Sequence, residues 1–81
     1  MWYDVRIMPT AQRDLDRMSP EVARRVLRKV EALRNNLAGD VKRLVDFQPP
    51  YRLRAGDWRV LFDVAGSAIL IQRVRHRSDA Y

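Results

Sequence analysis

An α+β domain is the fold class this sequence predicts, and three observations predict it. Tyr3, Val5 and Ile7 alternate with Asp4 and Arg6, the period-two pattern of a strand with one buried face. Apolar residues then recur at helical spacing from Ala11 to Leu33. From Tyr51 the alternation returns, broken only at Gly56-Asp57 and Gly66-Ser67, both two-residue hairpin turns of the Gly-x kind. The expected architecture is an N-terminal strand, a helical hairpin and a three-stranded antiparallel meander, with the helices packed on one sheet face. At 81 residues the chain is read as one domain, 1–81, with no second core.

Each element has its own signal. Pro9 closes the first strand, and Thr10 is the expected N-cap of a short helix with Ala11, Leu15 and Met18 on one stripe. Ser19-Pro20-Glu21 opens a second helix with an N-cap, a proline at the first position and an acid in the first turn. Val22, Val26, Leu27, Val30 and Leu33 form its inner face, and Arg24, Arg25, Arg28 and Glu31 its outer one. Asn35-Asn36 and Gly39 end it. The connector around Ser19 lacks the glycine often found in a DNA-reading helix-turn-helix, and strands follow where a third helix would stand. Residues 41–47 are read as a short strand or an ordered loop, closed by Pro49-Pro50. The meander strands are expected at about 51–55, 58–64 and 68–76.

Composition narrows the chemistry. Apolar residues at 47% and charged residues at 32% describe a folded globular chain. No apolar run approaches the roughly 18–20 residues of a membrane helix, and Asp4 and Arg6 interrupt any signal-peptide core. A cytoplasmic protein with no membrane partner is therefore expected. There is no cysteine, which excludes disulfides and thiolate nucleophiles. One histidine and no clustered carboxylates predict no metal site, and no cofactor is expected. Sixteen cations against 10 acids leave a net charge of +6, favouring an anionic partner. All the cations are Arg except Lys29 and Lys42, and Arg offers a planar fork for phosphate.

The two turns set an expected register. Around the first, Ala55 faces Trp58, Arg54 faces Arg59, Leu53 faces Val60 and Arg52 faces Leu61. Around the second, Val64 faces Ile69, Phe62 faces Ile71, Leu61 faces Gln72, Arg59 faces Val74 and Asp57 faces His76. A core face then collects Leu53, Trp58, Val60, Phe62, Val64, Ile69 and Ile71. The opposite face collects Arg52, Arg54, Arg59, Gln72 and His76, together with Leu61, Asp63, Leu70 and Val74. Arg73 and Arg75 fall at the end of the core face, with Arg75 near Trp58. Like charges directly opposite each other destabilise a sheet, so the arginine face points to an external anion such as the phosphates of a nucleic acid.

These residues resemble a known family. Tyr51 to Phe62 (YRLRAGDWRVLF), then Arg73 to Arg77 (RVRHR) and Tyr81, are similar to RelE-type toxins of the RelE/ParE superfamily, and the N-terminal strand and helical hairpin fit as well. The resemblance covers essentially the whole chain. It implies a RelE-like fold and a toxin of a toxin–antitoxin pair. The implied activity is ribosome-dependent cleavage of mRNA in the A site, by attack of a ribose 2′-OH on the adjacent phosphate. The implied partners are a cognate antitoxin, the ribosome and mRNA. Carried over by position, Arg52 and Arg54 match the family's basic pair, Arg59 its phosphate-clamping arginine, Arg77 its second arginine and Tyr81 its C-terminal tyrosine. Arg52, Arg54, Arg59, Gln72 and Arg77 are the candidate RNA-binding residues. Studied members carry Lys where this chain has Arg52 and Arg54, and Arg does not deprotonate usefully. His76, whose type titrates near neutrality, and Tyr81 are the candidate proton carriers. Two other activities share the fold: a ParE-like inhibitor of DNA gyrase, and a catalytically weak relative that binds protein or RNA.

Overall fold

The computed structural model describes residues 1–79. Its elements are β1 (Asp4–Ile7), α1 (Pro9–Asp16), α2 (Pro20–Ala32), β2 (Val41–Arg43), β3 (Tyr51–Ala55), β4 (Trp58–Ala65) and β5 (Ala68–His76). The strands form one sheet in the order β1-β5-β4-β3-β2. The meander is as expected, and two short strands extend it. β2 pairs antiparallel with β3, so residues 41–43 are strand and the rest of 41–47 is loop. β1 runs parallel to β5, and α1 and α2 carry the chain from β1 at one edge of the sheet to β2 at the other.

Local chemistry sets the helix starts. α1 begins at Pro9, with Met8 rather than Thr10 at the N-cap and no side-chain cap. Proline is suited to that first position because its missing N–H would have had no partner there. Thr10 lies inside the helix and donates its hydroxyl to the Gln72 carbonyl at 2.6 Å. α2 begins as its sequence signal says: Ser19 Oγ accepts from the Val22 N–H at 3.3 Å, and Pro20 follows. Glu21 favours the positive N-terminal end and pairs with Arg25 at 3.0 Å. Ser19→Ala should cost about 1 kcal/mol through the lost cap, seen calorimetrically as a Tm lowered by several degrees.

The helices cover one face of the sheet. Ala11 and Leu15 of α1, Val26 and Val30 of α2, and Leu33 just beyond it pack on Leu53, Val60, Phe62, Ile69, Ile71 and Val74. Val22 and Leu27 are only half-buried, so the inner face of α2 is narrower than its apolar stripe.

Around Gly56-Asp57 the pairs are those the turn predicts, including Arg54 with Arg59 and Arg52 with Leu61. Around Gly66-Ser67 they hold from Ala65–Ala68 to Phe62–Ile71, and then a bulge shifts them. Gln72 is the extra residue on β5. Leu61 now faces Arg73, Val60 faces Val74, Arg59 faces Arg75 and Trp58 faces His76. Because side chains alternate along a strand, a one-residue shift exchanges the faces of everything beyond it. Val74, expected outside, is 3% exposed within the core. Arg73 and Arg75, expected inside, move to the outer side, and His76, expected among the arginines, moves to the helix side.

Candidate nucleic-acid interface

Arg54, Arg59 and Arg75 stand side by side on three adjacent strands, β3, β4 and β5. Neighbouring strands lie about 4.8 Å apart, so the three cations are direct neighbours across the ladder, and like charges so placed destabilise a sheet. Among the described residues, none of the three has a carboxylate within ion-pair distance, although Arg73 and Arg77 each have one. Arg59 is held in place by carbonyls: its Nη1 donates to Gly56 O at 2.8 Å and to Trp58 O at 3.0 Å.

Next to this row lies a second, made of Lys42, Arg52, Leu61 and Arg73 on β2, β3, β4 and β5. Leu61 is 4% exposed although it belongs to the outer face. Arg52 and Arg73 flank it in the row, and long arginine stems shield apolar surface. The outer face is therefore a dry spot ringed by cations, a surface suited to an anionic backbone.

The other candidates are dispersed. Gln72, at the bulge, lines a hollow with Thr10, Gln48, Pro49, Asp63 and Arg73. Arg77 stands just past β5, where its N–H donates to Asp57 O at 2.8 Å and its Nε lies 3.7 Å from Asp57 Oδ1. His76 meets Trp58 edge-on, with centroids 5.3 Å apart and planes at 89°. Its Nδ1 accepts the Ser78 N–H at 3.3 Å and lies 2.9 Å from Ser78 Oγ. A ring whose Nδ1 accepts an amide carries its neutral-form proton on Nε2. His76 therefore keeps its donor on Nε2, and it lines one hollow with Asp14, Trp58, Arg73 and Arg75. Tyr81 lies outside the described residues.

Arg75 is the residue that sequence reasoning missed. Its signal was present: Ile69, Ile71 and Val74 are all buried, but the step from 71 to 74 breaks the period of two, as a bulge does.

At the edge of β5 left open beyond β1, Asp14 of α1 accepts from Arg73 Nε at 2.8 Å, Arg73 Nη2 at 3.2 Å and the Val74 N–H at 2.9 Å. Burial pushes its carboxyl pKa upward, but the Arg73 and Val74 hydrogen bonds and the charges of Arg73 and Arg75 outweigh it and hold it below the ordinary value of 3.8. Arg34 holds Glu31 low in the same way. A carboxylate depressed in the folded state adds stability that is complete above its unfolded pKa and lost as pH falls through the folded one. Stability should thus decline as pH falls below about 4. Asp14→Asn should flatten that part of the acid-unfolding curve measured by circular dichroism.

No helix is long and apolar enough to cross a membrane, and no three His, Asp or Glu side chains converge as metal ligands among the described residues. Known proteins are similar to this chain in sequence and fold. The chain is 29% identical over 77 residues to Toxin RelE3 of Methanocaldococcus jannaschii, covering 89% of this chain and 88% of that one. Its fold is similar to that of the toxin–antitoxin complex RelBE2 from Mycobacterium tuberculosis, with a TM-score of 0.81, 27% identity and coverage of 95% of this chain and 100% of the other. It is similar also to the archaeal RelE–RelB complex from Pyrococcus horikoshii, with a TM-score of 0.76, 27% identity and coverage of 99% and 100%. Residues 5–81 match the family described as the ParE toxin of the type II toxin–antitoxin system parDE. The chain belongs to that toxin family, within the RelE/ParE superfamily.

Proposed function

We propose that this toxin is an endoribonuclease that cuts mRNA in the ribosomal A site and is neutralised by a cognate antitoxin. The observation that carries the proposal is the row of Arg54, Arg59 and Arg75, three cations in register with no carboxylate within ion-pair distance among the described residues. In the reaction a ribose 2′-oxygen bonds to the neighbouring phosphorus as the bond to the 5′-oxygen breaks, leaving a 2′,3′-cyclic phosphate and a 5′-hydroxyl. Negative charge gathers on the non-bridging oxygens on the way, and preorganised guanidiniums stabilise it there more than in the ground state. Arg52 and Arg77 extend the cationic surface along the RNA, with Gln72 as a hydrogen-bonding group at its margin. One proton must leave the 2′-OH and another must reach the 5′-oxygen. Guanidinium groups cannot take the first; His76 and Tyr81 are the two carriers in this reading, one taking the 2′-OH proton and the other giving one to the 5′-oxygen.

The test is primer extension on a defined mRNA held on purified ribosomes with an empty A site. Cuts at A-site codons by the wild type, absent with Arg59→Ala, support the proposal. Intact mRNA with folded wild-type protein overturns it. The match to the ParE family favours a second reading, inhibition of DNA gyrase by binding. Growth arrest with DNA damage and uncut mRNA would support that one instead.

A further inference from the structure

Beyond Ile71, β5 has no strand on its outer edge, because β1 pairs only with Ala68 to Ile71. α1 and its cap take over that edge. The Met8 N–H donates to Ile71 O at 2.9 Å, the Thr10 hydroxyl to Gln72 O at 2.6 Å, and Asp14 Oδ2 accepts from the Val74 N–H at 2.9 Å. These contacts bracket the bulge. The last comes from a side chain only 11% exposed, whose carboxylate also grips Arg73.

We propose that Asp14 is a positioning residue: by taking the Val74 N–H it holds β5 in the bulged register and so sets Arg75 beside Arg59. The alternative register has no bulge. It places Gln72 across from Leu61 and Val74 across from Arg59, and turns Arg75 toward the helices. Burial of Val74 favours the bulged form without direction, as any apolar contact does. Asp14 supplies a directional contact that only one register satisfies, since a hydrogen bond weakens steeply as its angle closes. What the positioned row binds rests on the RNA reading above; the positioning itself does not.

A merely structural ion pair between α1 and the sheet would predict something different, so two readouts are combined. The first is the pattern of cross-strand nuclear Overhauser contacts at β4–β5 in isotope-labelled protein. The second is affinity for a short single-stranded RNA oligonucleotide, by fluorescence anisotropy at fixed salt. Asp14→Ala is expected to lose the Arg59–Arg75 cross-strand contacts while keeping those between Arg54 and Arg59. It should weaken RNA binding about tenfold, as Arg75→Ala does through one lost charged contact. The double substitution should bind no more weakly than Arg75→Ala alone, because both act through one group. Asp14→Asn keeps an oxygen for the Val74 N–H and should keep the register.

Asp14→Ala with the Arg59–Arg75 contacts intact overturns the proposal, as does a full additional loss of affinity in the Arg75→Ala background. Should Asp14→Ala fail to fold, the wild type decides. Its Val74 amide should exchange with deuterium as slowly as the amides inside the β4–β5 ladder, and free exchange overturns the proposal. If the register moves as expected but the wild type binds no RNA, the RNA reading fails and the positioning role stands. RNA binding with an unmoved register does the reverse.

Discussion

Alanine at Arg59 is expected to reduce mRNA cleavage at least about tenfold, since losing one donor that acts on transition-state charge costs a few kcal/mol. Arg59 is the middle member of its row, one strand away from Arg54 on one side and Arg75 on the other. Its guanidinium is held by Gly56 O and Trp58 O, so little reorganisation is needed when a phosphate arrives. The same geometry predicts that stability will not suffer. Removing the central charge relieves repulsion with both neighbours, so Tm should stay level or rise slightly. Arg59→Lys should fall between the two, keeping charge but losing the planar fork. Quantitative primer extension beside calorimetry checks this. A large drop in Tm for Arg59→Ala would assign the residue to the fold instead.

The largest expected loss of stability comes from Phe62→Ala. Phe62 is fully buried and sits on β4 at the edge of the bulge, paired with Ile71 on one side and Tyr51 on the other. Its ring stacks on Tyr51, with centroids 5.3 Å apart and planes at 16°. Truncation to alanine in such a site costs about 3–5 kcal/mol, a large share of the roughly 5–15 kcal/mol that holds a domain together. Tm should fall by roughly 15 °C or more. In urea the midpoint should drop with the slope unchanged. A shift of only a degree or two would mean that the surrounding core collapses into the space.

The first hairpin was legible because its information is local: a two-residue turn at Gly56-Asp57 determines every pair up to Arg52–Leu61. The second was legible only to Phe62–Ile71. Beyond that point the register depends on Asp14, about sixty residues away, and on the burial of Val74. No turn rule carries that information. One inserted residue was enough to bring Arg75 into the row beside Arg59. The helices show the same division. Ser19, which caps α2 through its own side chain, was readable; Thr10 was not, because its hydroxyl is used on Gln72 across the fold. β1 could be read as a strand, but its parallel pairing with β5 is a property of the assembled sheet. β2 is too short, at three residues, to leave a periodic trace.

The order of the strands has a consequence for the birth of the chain. β5 comes last of the described strands in the chain, yet it lies between β1 and β4. It supplies Ile69, Ile71 and Val74 to the core and Arg75 to the cationic row. While residues 68–76 are still inside the translating ribosome, β1 has no neighbour to pair with and the helices have only part of a floor. Domains fold as units during synthesis, and here the unit closes only when its final strand emerges. Until β5 has emerged, a nascent copy has neither a closed core nor the third member of its cationic row.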